Sequence, residues 1–339
     1  MKVYPKNKRL ESKIKDVLQR DIIPTIAYNI RPLLMNLSPE LLSIIQEIRI
    51  RQGKPLMIVG KNKDFMINKK GESTDSYDDS YIVSYEDCFK TLQLISQSSL
   101  YAFEEEIRNG YITLAGGHRV GLVGRAVIEN GKIKTLKNIT GFNFRISREV
   151  IGAADKVMSY LISSQKKVFN TLIISPPQCG KTTLLRDIAR QLSNGISLLN
   201  FPGIKVCVVD ERSEIASCYN GMPQNDLGIR TDVLDGCPKA EGMMLLIRSM
   251  SPHVIITDEI GRREDVIAIE EAVNAGVSII TTLHGSNLKE LKKRPIVKEI
   301  LETHLFERLI FLSNRLGVGT IEQVLEGDSF NPLIDKPFK

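Results

Sequence analysis

The stretch SPPQCGKT at 175–182 ends in the Gly-Lys-Thr of a phosphate-binding loop, whose usual form is G-x-x-x-x-G-K-[ST]. In such a loop Gly180 lets the backbone close on the phosphates, Lys181 reaches the outer ones and the Thr182 hydroxyl ligates Mg²⁺. Ser175 stands where the first glycine belongs, and it is small enough to leave the turn largely unchanged. Pro176 and Pro177 stiffen the loop. Gln178, beside Cys179, fills a part that is often glycine, and its side chain is unfavourable there if φ must be positive. The candidate cradle is therefore the run Ser175, Pro176, Pro177, Gln178, Cys179, Gly180, Lys181, Thr182 and Thr183.

A second stretch, HVIITDE at 253–259, is an apolar run that ends on two acids. Asp258 is placed to hold the water shell of Mg²⁺, with Thr182 as the other metal residue, and Glu259 to polarise an attacking water. Two more strand ends carry polar groups. VVDERSEIA at 208–216 offers Asp210, Glu211 and Glu214, and IITTLHGSN at 279–287 offers His284 as a γ-phosphate sensor. Ligands of open α/β sheets bind outside the carboxyl ends of the strands, so these four ends are expected to converge.

The positioning elements are legible from residue 166 onward. VFNTLIIS, KVCVVD, HVIITD and VSIITTL are short, β-branched and apolar with little alternation, as parallel strands covered on both faces require, and RLIFLS at 308–313 reads as another. TTLLRDIARQLSNG and EDVIAIEEAVNAG have helical spacing and end at Gly195 and Gly276. The grammar is that of a doubly wound α/β domain over 166–339.

The front half differs. SPELLSIIQEI at 38–48 starts as a helix with Ser38 as N-cap and Pro39 at its first position. EIRIRQGKPLMIV reads as two strands around Gln52-Gly53-Lys54, and SYEDCFKTLQLISQSS at 84–99 as a helix opened by S-x-x-D. A β-rich section follows, with Asn130-Gly131 suited to a two-residue hairpin turn. These elements predict an N-terminal α+β domain over 1–150, joined by a connecting helix within 151–165.

Composition bounds the function classes. With 42% hydrophobic and 25% charged residues the chain is globular, and no run approaches the ~18 apolar residues of a membrane span. The N-terminus lacks the apolar core of a secretory signal. Five cysteines, odd in number and never spaced C-x-x-C, argue against a disulfide framework or zinc site and fit a reducing cytosol. The net charge of +6 is uneven: 25 Lys/Arg against 18 Asp/Glu through residue 165, and 21 against 22 thereafter. A basic front half suits nucleic acid, an acidic membrane surface or plain solvent.

VVDERSEIA, then GIRTDVLDGCPKAEGMMLLIRSMSPHVIITDEIG, then TTLHGSN, together with GGHRVGLVGRAV in the front half, closely resemble the stage III sporulation protein AA family, which is related to the hexameric ATPases of type II and type IV secretion. The resemblance runs from about residue 40 to about residue 325, and DVLDGCPKAEGM is its most specific part. It implies a RecA-like P-loop ATPase domain with a mostly parallel sheet, behind the α+β domain. It also implies a ring-shaped homo-oligomer, a hexamer, using ATP and Mg²⁺ in the mother-cell cytoplasm of an endospore former. Membrane proteins of a secretion-like channel would be its partners, holding it at the membrane. VVDERSEIA resembles the family's acidic box, with Glu211 and Glu214 as its working acids, and TTLHG resembles the histidine box. Front-domain arginines of such ATPases act on the phosphates, and by position Arg119 and Arg145 match them. Arg248 or Arg262 is placed to reach a neighbouring subunit's nucleotide, while Arg49 and Arg51 in EIRIRQGKP make either a subunit contact or a solvated strand face. Secretion relatives carry Gly-Glu where this chain has Asp258-Glu259; the extra acid favours hydrolysis.

Two alternatives stay open at this point. A nucleic-acid-dependent ATPase would use the basic front half, although no aromatic-and-basic stacking motif is present. An ATP-gated scaffold would assemble on nucleotide with little hydrolysis.

Overall fold

In the first unit, strand alternation sorts the side chains. On β1 (Ile45–Arg51), Ile48 and Ile50 are buried while Glu47, Arg49 and Arg51 take the opposite face. A computed structural model describes residues 15–60, 63–97, 99 and 103–339, in two compact units that divide between Arg148 and Glu149. The first 14 residues of the expected 1–150 domain lie outside the described residues.

The first unit adds β2 (Met57–Gly60), β3 (Asp64–Ile67), β4 (Ser73–Thr74), β5 (Tyr111–Thr113), β6 (Arg119–Glu129) and β7 (Lys132–Arg145). They form one antiparallel sheet in the order β4-β3-β2-β1-β7-β6-β5. Its apolar face packs with α1 (Pro39–Ile44) and α2 (Tyr85–Ile95) in one core that includes Leu41, Cys88, Ile95, Phe142 and Phe144. Ser38 caps α1 by accepting from the Leu41 N–H at 3.3 Å, and Ser84 with Asp87 forms a capping box on α2. α1 stops at Ile44, short of the sequence reading to 48, because Ile45 already belongs to β1. Asn130 (φ 52°) and Gly131 (φ 73°) turn the β6–β7 hairpin, both with the positive φ such a turn needs.

The second unit runs from β8 (Thr171–Ser175) through α3 (Lys181–Asn194), a small ribbon β9 (Gly195–Ile196) and β10 (Phe201–Pro202), to β11 (Val206–Asp210) and β12 (Thr231–Asp235). Then come α4 (Lys239–Met250), β13 (Val254–Glu259), α5 (Arg263–Asn274), β14 (Ser278–His284), α6 (Pro295–Glu302), β15 (Arg308–Ser313) and β16 (Thr320–Glu326). The main sheet has the order β12-β11-β13-β14-β8-β15-β16, parallel except for β16 at the edge. Every residue of β8 and β11 is buried, since cores form on both faces: α3 on one side, and α4, α5 and α6 on the other.

The expected connecting helix is a difference. Within 151–165 only Met158–Leu161 is helical; the approach to it is a series of turns, with Gly152 at φ 84°. Ala154, Val157, Met158 and Leu161 are buried in the second unit's core, and the Ala154 N–H donates to Asp187 of α3 at 2.8 Å. The apolar residues of this segment are anchors to that core.

Candidate nucleotide site

Sheet order explains the convergence of the strand ends. β11, β13, β14 and β8 are consecutive neighbours, with Glu259 paired to Thr282 and His284 paired to Ser175. A cavity of about 390 Å³ opens at this rim. Gln178, Lys181, Thr182, Glu214, Asp258, Glu259 and His284 all contribute to its wall.

Ser175 is the last residue of β8, so it needs no left-handed backbone and a serine costs little there. Its hydroxyl donates to the Pro176 carbonyl at 2.7 Å. The left-handed positions of the loop are Gln178 (φ 61°) and Gly180 (φ 92°). Glycine suits 180 on two counts, the positive φ and the space a Cβ would take. A Cβ there would lie 3.2 Å from Val318 Cγ1, and the Gly319 N–H donates to the neighbouring Cys179 carbonyl at 3.1 Å, tying the loop to the β15–β16 turn. The Cys179 thiol is buried, so Cys179 serves the loop through its backbone.

Lys181 is the first residue of α3, and its ammonium donates to the Ser175 carbonyl at 3.1 Å and to His284 Nδ1 at 2.9 Å. An ammonium only donates, so Nδ1 is the acceptor and the ring proton sits on Nε2. Nε2 lies 2.9 Å from Glu259 Oε2, within ion-pair range but off hydrogen-bonding geometry. The result is a chain of contacts Lys181–His284–Glu259, hydrogen-bonded at its first link. Burial pushes the Lys181 pKa down, and Glu259 acts against that shift.

Behind this chain lies a second cluster. Lys239, the first residue of α4 and only 8% exposed, donates to Glu211 Oε2 and lies 3.1 Å from Asp258 Oδ1. The latter contact is in ion-pair range but off hydrogen-bonding geometry, and Asp258 Oδ1 has no other partner. Burial lowers the Lys239 pKa and its two carboxylates more than offset that, so the net shift is upward. Burial raises the Asp258 pKa, with Lys239 opposing. Asp210, fully buried, accepts from the Glu214, Ile215 and Ala216 N–H groups at 2.8, 2.9 and 2.8 Å, which shapes the loop after β11. Burial takes its pKa up to about 6 against those bonds. Arg186 on α3 donates to the Glu214 and Ile215 carbonyls and so joins this loop to the phosphate-loop helix.

Not all residues singled out from sequence meet here. Glu211 stands behind the cavity on Lys239, whereas Glu214 is on its wall. Arg248 and Arg262 are exposed and are not on that wall; Arg248 borders a separate groove between α4 and α5. Arg119 and Arg145 belong to the first unit, directly opposite each other on β6 and β7; Arg119 stacks on the Tyr111 ring and Arg145 lies 3.7 Å from Glu47. Arg49 and Arg51 share a face of β1, each with a buried Nε lacking a hydrogen bond.

Two residues of the rim were missed. Arg212 is an exposed cation on the cavity wall. Lys239 carried a signal that went unread: a lysine at the first position of a helix opposes the helix dipole, which implies carboxylate partners.

A family model described as sporulation stage III, protein AA, matches residues 16–329. The chain belongs to the stage III sporulation protein AA family. The stage III sporulation protein AA of Bacillus subtilis is 46% identical over 284 residues, covering 84% of this chain and 87% of that protein. Among solved structures, the ATPase DotB of Legionella pneumophila aligns with TM-score 0.53 at 15% identity, covering 84% of this chain and 78% of its own. The pilus retraction motor PilT, solved with bound ADP, aligns with TM-score 0.52 at 13% identity over 80% of this chain and 75% of its own. Stage III sporulation protein AA chains of this kind thus share the RecA-like fold of secretion ATPases, here behind an α+β unit. Among the described residues no helix is long and apolar enough to cross a membrane.

The residues present fit a magnesium nucleotide. No side chain caps the 14-residue α3, so its first N–H groups face the loop, and the left-handed Gly180 holds that loop open. Asp258 Oδ1 is buried and short of hydrogen bonds. Among the described residues no cluster of three or more His, Cys, Asp or Glu is arranged to hold a metal, so phosphate oxygens and water would complete a shell begun by Thr182 and Asp258.

Proposed function

We propose that this protein binds Mg-ATP at the β8–α3 loop and hydrolyses it to ADP and phosphate. It does so as a ring-shaped homo-oligomer, a hexamer, that energises a secretion-like channel between mother cell and forespore. It works in the mother-cell cytoplasm, held at the membrane by protein partners. The observation that carries the reading is the Lys181–His284–Glu259 chain beside an uncapped helix start.

The chain's own residues divide the work. The α3 amides and Lys181 hold the phosphates, while Thr182 and Asp258 hold the metal. Magnesium, when bound, neutralises charge that develops between the β- and γ-phosphates. Glu259 orients and deprotonates water. His284 accepts from Lys181 and stands against Glu259, so it links the outer phosphate to the group that activates water. Glu214 and Arg212 close the wall. Arg248 or Arg262 would act across a ring interface.

Phosphate release by the purified full chain tests this, together with its size with and without ATP. Glu259→Gln is expected to bind ATP as the wild type does and to lose about 10²–10⁴-fold in turnover. Wild-type turnover in that variant refutes the assignment of Glu259. Stimulation by single-stranded nucleic acid rather than lipid would shift the reading to a nucleic-acid-dependent motor. Assembly without phosphate release would shift it to a scaffold.

A further inference from the structure

Glu211 ends up beside Asp258 because β11 and β13 are parallel neighbours, and both acids lie at the carboxyl end of the sheet. Lys239 stands between them, buried to all but 8% and contacting both. Resting on the reading of Asp258 as a metal-shell acid, we infer that Lys239 is a built-in counter-ion that makes divalent-metal binding conditional on a polyphosphate.

The argument is one of charge. Two acids and one ammonium leave the cluster at a net −1, and Arg212 and Lys181 on the same rim reduce it further. Affinity of an oxygen site for a divalent cation rises with the negative charge of its ligands. Asp258, shared with Lys239, is a weak ligand by itself. A polyphosphate supplies the missing negative charge together with the missing oxygens. Lys239 also has a structural effect: it keeps two half-buried carboxylates from repelling each other across the β11–β13 rim. The helix start is the place to put it, since Pro238 at the N-cap fixes the entry to α4 and directs residue 239 back toward the strand ends. Lys239 is thus a positioning residue, acting on the metal through Asp258.

The test is manganese binding to the full-length protein, read by the loss of the free Mn²⁺ electron-paramagnetic signal. Without nucleotide, wild type is expected to leave Mn²⁺ largely free. Lys239→Met is expected to bind it at least about tenfold more tightly, since both acids then face the ion uncompensated. Lys239→Arg keeps the charge and is expected to behave as wild type. A Lys239→Met protein that binds nucleotide-free Mn²⁺ no better than wild type overturns the inference. Should Lys239→Met fail to fold, Glu211→Gln serves instead. There Lys239 pairs with Asp258 alone, so Mn-ATP affinity falls several-fold while metal-free ATP affinity in chelator is unchanged; an unchanged Mn-ATP affinity overturns the inference. Asp258→Asn separates the two levels: if it leaves Mn-ATP affinity intact, the metal role of Asp258 is what fails. If it weakens Mn-ATP while Lys239→Met gains nothing, only the counter-ion role fails.

Discussion

Lys181 and Lys239 both open a helix at the carboxyl rim of one sheet, and burial disfavours the charge on both. Their ammonium groups nevertheless shift in opposite directions. Lys239 meets two carboxylates, which outweigh its desolvation and raise its pKa. Lys181 donates to a carbonyl and a neutral imidazole, with the nearest acid, Glu259, one group further on; its pKa falls. A buried charge opposed by charge is complete, while one opposed only by dipoles still gains from an anion. The comparison therefore sorts the two lysines by their partners: Lys239 belongs to the protein's own framework and Lys181 to a ligand.

The largest expected effect follows from that sorting. Lys181→Ala should weaken ATP binding about 100-fold or more in titration calorimetry, the loss of one or two charge-assisted bonds to phosphate, and leave the melting temperature nearly unchanged. Lys239→Ala should do the reverse to stability, costing roughly 1–3 kcal/mol in denaturant unfolding because the half-buried Glu211 and Asp258 lose their shared cation. If Lys181→Ala unfolds the protein and Lys239→Ala does not, the two lysines have been assigned the wrong way round.

How much of this was legible depends on whether the determining contacts were local. The parallel strands announced themselves because burial on both faces leaves an unbroken apolar run, as in VCVVD of β11. Helix ends at Gly195 and Gly276 were readable because both glycines take positive φ, 89° and 79°. α4 escaped notice because Gly242 and a block of apolar residues blur its periodicity. Gly242 is there for packing, since a Cβ on it would come within 2.7 Å of Val209. β12 escaped because, as an edge strand, TDVLD is only partly buried and carries acids at 232 and 235. The four strand ends of the site could be named from sequence, since the sheet rule applies to any such order. The Lys239 cluster could not, because it needs α4, the end of β11 and the end of β13 to meet.

Asp210 extends the comparison to an acid. It is buried like Lys239 but, like Lys181, is opposed by dipoles: three backbone N–H groups and no cation in contact. Its pKa rises from 3.8 to about 6, burial being the first cause. The sign is fixed by the protonated form being favoured in the fold. Stability from this group is full below pH 3.8 and is lost as pH rises through about 6, by roughly 3 kcal/mol. Asp210→Asn removes the titration, so the stability of wild type relative to this variant should fall as pH rises from 4 to 7. A flat difference across that window would mean that the three N–H bonds balance burial, and that dipoles can complete a buried charge after all.

The smallest effect sharpens the comparison from the backbone side, since the loop between β8 and α3 brings Lys181 back onto the Ser175 carbonyl. Gln178 takes φ 61° in that loop, with an exposed side chain, and a residue with a Cβ is disfavoured there by about 1 kcal/mol. Gln178→Gly relieves this but adds freedom to the unfolded chain, which offsets part of the gain. The net expectation is a stabilisation of about 0.5 kcal/mol in urea unfolding and ATP affinity within a few-fold of wild type, because the amides of Gly180 and α3 keep their places. A loss of stability would show that the Gln178 side chain holds the loop shut. A large gain in affinity would show that loop strain, rather than the partners of Lys181, limits how well an anion completes its charge.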